Sequence, residues 1–185
     1  MKQALLVLDY MNDLVNDKGK LASKGYLQFV KNHATLGNVK AAIQRARDKG
    51  ITLIYVKTGF QKNYKGCPEN SPLFALAKQV GALQLETWGT HFHETIAPAK
   101  EDLVLTKSRV SAFHKTGLGD LLKKLRIEQL LVAGISTDLA VHATVLDAHD
   151  LDYNVVVLEN CCAAASEEDH RNALNLMKKV ATVSG

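Results

Sequence analysis

Five largely apolar runs punctuate this chain: "ALLVLDY" (4–10), "ITLIYVK" (51–57), "DLVLTK" (102–107), "QLLVAGI" (129–135) and "YNVVVLEN" (153–160). A strand with one wet face alternates apolar and polar residues. These runs are nearly continuous instead, as in strands buried on both faces. Between them lie stretches with helical spacing: residues 28–49, stopped by Gly50, then Leu73–Val80, 117–127, 137–150 and 167–180. Strand and helix alternating in this way predicts a parallel sheet covered on both faces by helices, joined by right-handed crossovers. "ATVSG" (181–185) adds a candidate short last strand.

At 185 residues, with no repeat, low-complexity tract or linker, the expectation is one domain over 1–185. A net charge of +4 is spread along the chain, and no basic run interleaves with aromatics, which argues against nucleic acid as a partner. "MKQALLVLDY" has an apolar run too short for a leader or a membrane span, and Asp9 interrupts it. No membrane partner and a cytoplasmic location are therefore expected. Three cysteines (Cys67, Cys161, Cys162) with no CxxC spacing fit reduced thiols in that compartment.

In an open parallel sheet, ligands bind in the crevice outside the carboxyl ends of the strands. The first strand delivers Asp9 there, followed by Asn12 and Asp13. The strand at 102–107 delivers Lys107, then Ser108, Arg109, Ser111 and Phe113. The strand at 129–135 runs into Ser136, Thr137 and Ala140 at a helix start. An acid and a lysine at the ends of two buried strands suit proton transfer. Read from the residues alone, the same pair also fits a helix cap and its surface ion-pair partner. Ser136 or Thr137 likewise fits a plain N-cap.

No G-x-G-x-x-G or Walker loop follows the first strand, so the phosphate-cradling glycines of nucleotide sites are missing. His91 and His93 in "WGTHFHETIAP" lack a nearby third ligand, and read better as part of a loop lining the cleft than as a metal site. Cys161 and Cys162 end a buried strand and read as small hydrophobes, while His142 and His170 read as structural or solvated. Loop 58–72 and segment 86–98 are the expected pocket walls, with Tyr64, Trp88, Phe92 and Phe113 offering room for a small planar or cyclic molecule.

Together these pieces resemble the isochorismatase-like hydrolases, a superfamily that includes nicotinamidases, N-carbamoylsarcosine amidase and isochorismatases. "LLVLDYMNDLV" is similar to the family's opening, whose aspartate is the general acid/base and falls on Asp9. "LTKSRVSAF" is similar to the second motif, whose lysine is catalytic and falls on Lys107. "VAGISTDLAVHATVLDAHDLDYNVVVLENCCA" is similar to the third. The resemblance implies a Rossmann-like three-layer α/β/α sandwich with a mainly parallel central sheet of about six strands. It places a cis peptide between Ile135 and Ser136, and an oxyanion-binding cradle at Ile135, Ser136 and Ala140. Asn12, Tyr64, Trp88, Phe113 and Thr137 are the expected substrate contacts.

The family's cysteine hydrolases carry their nucleophile six residues after the glycine of this third motif. Here that position is Ala140. A thiol at a helix start would be held as a thiolate, and its neighbouring amides would receive an oxyanion. Isochorismatases lack the cysteine and hydrolyse a vinyl ether, with the aspartate as general acid. The expected function is therefore hydrolysis of a small molecule through Asp9 and Lys107 without a thiol. A cysteine amidohydrolase of nicotinamidase or carbamoyl-amidase type, inactivated by alanine at 140, and a non-catalytic binding protein are the alternatives. The family's metal-binding members use Asp-x-His after the second strand, where this chain has Thr58-Gly59-Phe60, so no metal and no cofactor are expected. The resemblance also implies a homo-oligomer, a dimer or a tetramer.

Overall fold

The computed structural model describes residues 1–185. In chain order the elements are β1 (Gln3–Leu8), α1 (Asn12–Val15), α2 (Tyr26–Asn32), α3 (Thr35–Asp48), β2 (Thr52–Thr58), α4 (Pro72–Gln79), β3 (Leu103–Lys107), α5 (Leu118–Lys124), β4 (Gln129–Ile135), α6 (His142–Asp150), β5 (Asn154–Ala163), α7 (Glu167–Met177) and β6 (Thr182–Ser184). The six strands form one sheet in the order β3-β2-β1-β4-β5-β6, and every pairing is parallel.

The continuous apolar strands explain the layering. Ala4, Leu6 and Leu8 of β1 pack on one face with Leu118 and Leu122 of α5, Val145 of α6 and Leu174 of α7. Leu5 and Val7, one residue out of phase, pack on the other face with Phe29 of α2 and Val39 and Ile43 of α3. Both sides of the same strand are thus dry, the arrangement its unbroken hydrophobicity requires. A third, smaller cluster joins Met11 and Leu21, which follow β1, to Phe60 after β2 and to Phe74 and Ala77 of α4.

Two expectations about elements are corrected. The 28–49 helix is two helices, because Ala34 takes a left-handed conformation (φ 50°) and the Asn38 side chain donates to the His33 carbonyl at 3.1 Å. The run at 153–160 continues as strand to Ala163, where Gly134 and Ile135 of β4 pair with Cys162 and Ala163. The stretch 137–150 is helical, but its first turn, Thr137–Val141, is wound as π-helix before α6 begins.

The strand order reverses between β1 and β4. That switch point opens a crevice at the carboxyl ends of the two central strands. No helix is long and apolar enough to cross a membrane.

Candidate active site

β1 ends at Leu8, and Asp9 turns the chain sharply with φ at 60°, a left-handed conformation that aspartate tolerates better than most side chains. Its amide stays in the sheet by donating to the Val56 carbonyl at 2.8 Å, and its carboxylate faces the ends of β2 and β3. Oδ1 accepts from the backbone amide of Thr58 at 2.6 Å and from the Thr58 hydroxyl at 3.0 Å. Oδ2 meets Lys107 Nζ at 2.7 Å. Lys107 also donates to Thr58 Oγ1 at 2.7 Å and to the Arg109 carbonyl at 3.2 Å.

The Asp9 and Lys107 side chains are only 4% and 2% exposed, so this ion pair is buried rather than a surface bridge. Nor is Asp9 a helix cap: Met11 holds that place for α1, and no side chain caps it. Thr58, which the sequence reading named only as the start of the 58–72 loop and as lacking a metal ligand, closes the triangle with one hydroxyl that donates to the acid and accepts from the lysine.

The crevice holds a cavity of about 180 Å³, reached by Asp9, Thr58, Lys107, Ile135, Ser136 and Ala140. The Ile135–Ser136 peptide is cis. Ser136 precedes the π-helical turn without capping it through its side chain. Within that turn the Val141 amide donates to the Ser136 carbonyl at 3.1 Å. Ala140 therefore lies among the first residues of a helical segment, whose amides lack a full set of helical partners. Gly134 permits this close turn, since a Cβ there would stand 2.7 Å from the Leu8 Cβ and 2.9 Å from Val141 Cγ2.

The remaining lining of this cavity comes mostly from outside the segments expected as walls. Of 58–72 only Thr58 reaches the cavity, and 86–98 contributes nothing to it. α4 supplies Leu73, Phe74, Leu76 and Ala77, with Leu83 beyond it. The segment after β1 supplies Met11, Leu14, Leu21, Lys24 and Tyr26. Burial pushes the Tyr26 phenol above its ordinary range, and the nearby Asp138 adds to the shift.

Several expected substrate contacts are engaged elsewhere. The Tyr64 hydroxyl donates to the Ala82 carbonyl at 2.6 Å, behind α4. The Asn12 side chain donates to the Trp88 carbonyl at 3.0 Å, and those two residues line a separate, more polar hollow with Phe92 and His91. Phe113 stacks with Tyr153, their ring centroids 6.3 Å apart. Thr137 is fully buried, and its Oγ1 pairs with His170 Nδ1 at 2.8 Å. Burial lowers the His170 pKa, which keeps its ring neutral for that bond. Cys161 and Cys162 point into opposite core layers, and burial pushes their thiols up to about 11 and about 12. His93 accepts from the Thr95 amide at 3.2 Å.

The signals that would have found the missed wall lie in the sequence. "PLFALAKQV" (72–80) carries an unbroken apolar run, Pro72–Ala77, broader than one core contact uses, with Lys78 and Gln79 its only polar residues. Asp13, noted only as following Asp9, is 2% exposed and accepts from the Leu83 amide at 2.7 Å, which ties that wall to α1.

Residues 3–185 match the model of the isochorismatase domain. The chain belongs to the isochorismatase domain family. Among relatives of this isochorismatase-domain protein is the ureidoacrylate amidohydrolase RutB of Acinetobacter baylyi, 29% identical over 188 residues that cover 95% of this chain and 76% of the relative. The isochorismatase family protein of Desulfovibrio vulgaris superposes with a TM-score of 0.86 at 24% identity, covering 98% of this chain and 93% of that one. Nicotinamidase PncA of Bacillus subtilis superposes with a TM-score of 0.82 at 24% identity, over 100% of both chains. The three-layer α/β/α architecture expected from the sequence is the one found, with the sheet parallel throughout.

Proposed function

We propose that this isochorismatase-domain protein hydrolyses a small molecule through Asp9 and Lys107, with water as nucleophile and no thiol intermediate. The observation that carries the reading is the buried Asp9–Thr58–Lys107 triangle at the floor of a cavity that Ser136 and Ala140, at the adjoining end of β4, also line. Asp9 is the general acid/base. Lys107 holds it in place and offsets its charge inside a low-dielectric site. The amides of the Ser136–Ala140 turn receive negative charge as it develops on the substrate. Ala140 lines the cavity with a methyl group, so a covalent acyl-enzyme cannot form at that position.

The test is a panel of small amides, ureides and enol ethers incubated with the native protein and with Asp9→Asn, a near-isosteric change that removes the acid/base. The reading expects hydrolysis by the native protein, and a loss of about 10²–10⁴-fold in the variant, the size of a general acid/base contribution. Native protein inert across the panel, or hydrolysis that Asp9→Asn leaves untouched, overturns it.

One observation favours a second reading. The turn that would seat a cysteine is retained around Ala140, and the Acinetobacter relative is named an amidohydrolase. Under that reading the chain is a cysteine amidohydrolase lacking its nucleophile, and Ala140→Cys creates amidase activity that the native protein lacks.

A further inference from the structure

Resting on the reading that the hydrolysed group sits at Asp9 and Lys107, we infer that the substrate has an aliphatic, unfunctionalised body and an anionic far end held by Lys24. The lining carries the argument. Thirteen of its 18 residues are hydrophobic, and the five others are Asp9, Thr58, Lys107, Ser136 and Lys24. The first three are bonded to one another at the floor, and Ser136 lies beside them at the end of β4. Tyr26 also lines the cavity, its phenol on the Ser136 side; the other walls, among them Leu14, Leu21, Phe74, Leu76, Leu83 and Leu139, offer no side-chain donor or acceptor. A ureido or hydroxyl group placed along them would lose its water and gain no partner, whereas each methylene would leave water for an apolar wall.

Lys24 is the single charged lining residue away from the floor. It is exposed, and its ammonium forms no salt bridge with any carboxylate of the chain. Its place is set by the next residue: a Cβ on Gly25 would run into the Ala165 carbonyl, so the backbone packs tightly there at φ 104°. At about 180 Å³ the cavity is smaller than the roughly 300–1,000 Å³ of drug-sized ligand sites, so the body is a short chain or compact branched group. Lys24 then reads a carboxylate or similar anion at its end.

Calorimetric titration with three amides of matched length tests this: hexanamide with a neutral end, 6-amino-6-oxohexanoate with an anionic end and 6-aminohexanamide with a cationic end. The anionic probe binds about threefold tighter than hexanamide, and the cationic probe about threefold weaker, as expected for one exposed ion pair. Lys24→Glu inverts that order. Lengthening butanamide to pentanamide and to hexanamide tightens binding about fourfold per methylene, until the cavity is full.

Equal binding of the three probes, or an order that Lys24→Glu does not change, overturns the anionic end. Affinity that does not rise with methylene count, or N-carbamoylglycine binding as tightly as 6-amino-6-oxohexanoate, overturns the aliphatic body. Turnover is followed separately. Binding in the predicted order without hydrolysis leaves this ligand class standing and removes the hydrolase reading. Hydrolysis of polar ureides without that order does the reverse.

Discussion

Lys107→Met should unfold this protein far more easily than an ordinary surface change, because it strands a charge. At the 2.7 Å separation of Asp9 Oδ2 and Lys107 Nζ, attraction is about 6 kcal/mol at an effective dielectric constant of ~20. Desolvating the two side chains, 4% and 2% exposed, costs several kcal/mol per ion, so the intact pair contributes little net stability. Removing the lysine leaves the carboxylate buried with only the Thr58 amide and hydroxyl as donors, and the expected loss is about 3–5 kcal/mol. Adding Asp9→Asn to Lys107→Met removes the stranded charge and should recover most of that loss. Urea unfolding followed by far-ultraviolet circular dichroism measures all four proteins of this cycle. A Lys107→Met loss below about 1 kcal/mol, or a double variant no more stable than the sum of the singles, refutes the reasoning.

Thr58→Val leaves Asp9 Oδ1 and Lys107 Nζ each one hydrogen bond short, and should cost about 1–3 kcal/mol in the same assay, with Thr58→Ser restoring stability. Gly134→Ala drives a methyl into Leu8 and Val141 and should cost about 1–3 kcal/mol, with a larger loss of ligand binding than of fold because the Ser136–Ala140 turn moves. Since burial depresses the His170 pKa, the unfolded chain binds the extra proton first as pH drops. Stability from this group is whole above about pH 6.5 and falls as pH is lowered towards its folded pKa; His170→Gln should flatten that slope in unfolding measured from pH 7 to 5. Ellman's reagent at pH 8 should modify Cys161 and Cys162 only when urea is added, and rapid labelling of both in the native protein would contradict their burial.

What the sequence made legible follows from where its signals are local. Continuous apolar runs identify strands buried on both faces, and the strand ends then locate Asp9, Lys107 and the Ser136–Ala140 turn. The ion pair is a different matter. Asp9 follows β1 and Lys107 ends β3, strands that β2 separates, so their contact beside Thr58 appears only once the strand order is known. The walls were less legible because aromatic side chains look alike in a sequence whether they face a ligand or the core. Tyr64 and Phe113 turned out to serve packing and a carbonyl contact, while unremarkable leucines of α4 face the cavity. The break at Ala34 was invisible for a similar reason: alanine favours helix, and only the packing of α2 and α3 against the sheet puts it in a left-handed turn.

Whether water alone does the chemistry rests on position 140. The most direct measurement is the hydrolysis rate of the best substrate by the native protein and by Ala140→Cys. Direct attack by water predicts that the native protein already turns over, and that the added thiol changes the rate by no more than about threefold. A native protein without measurable hydrolysis, beside an Ala140→Cys variant that gains orders of magnitude on an amide, would contradict it.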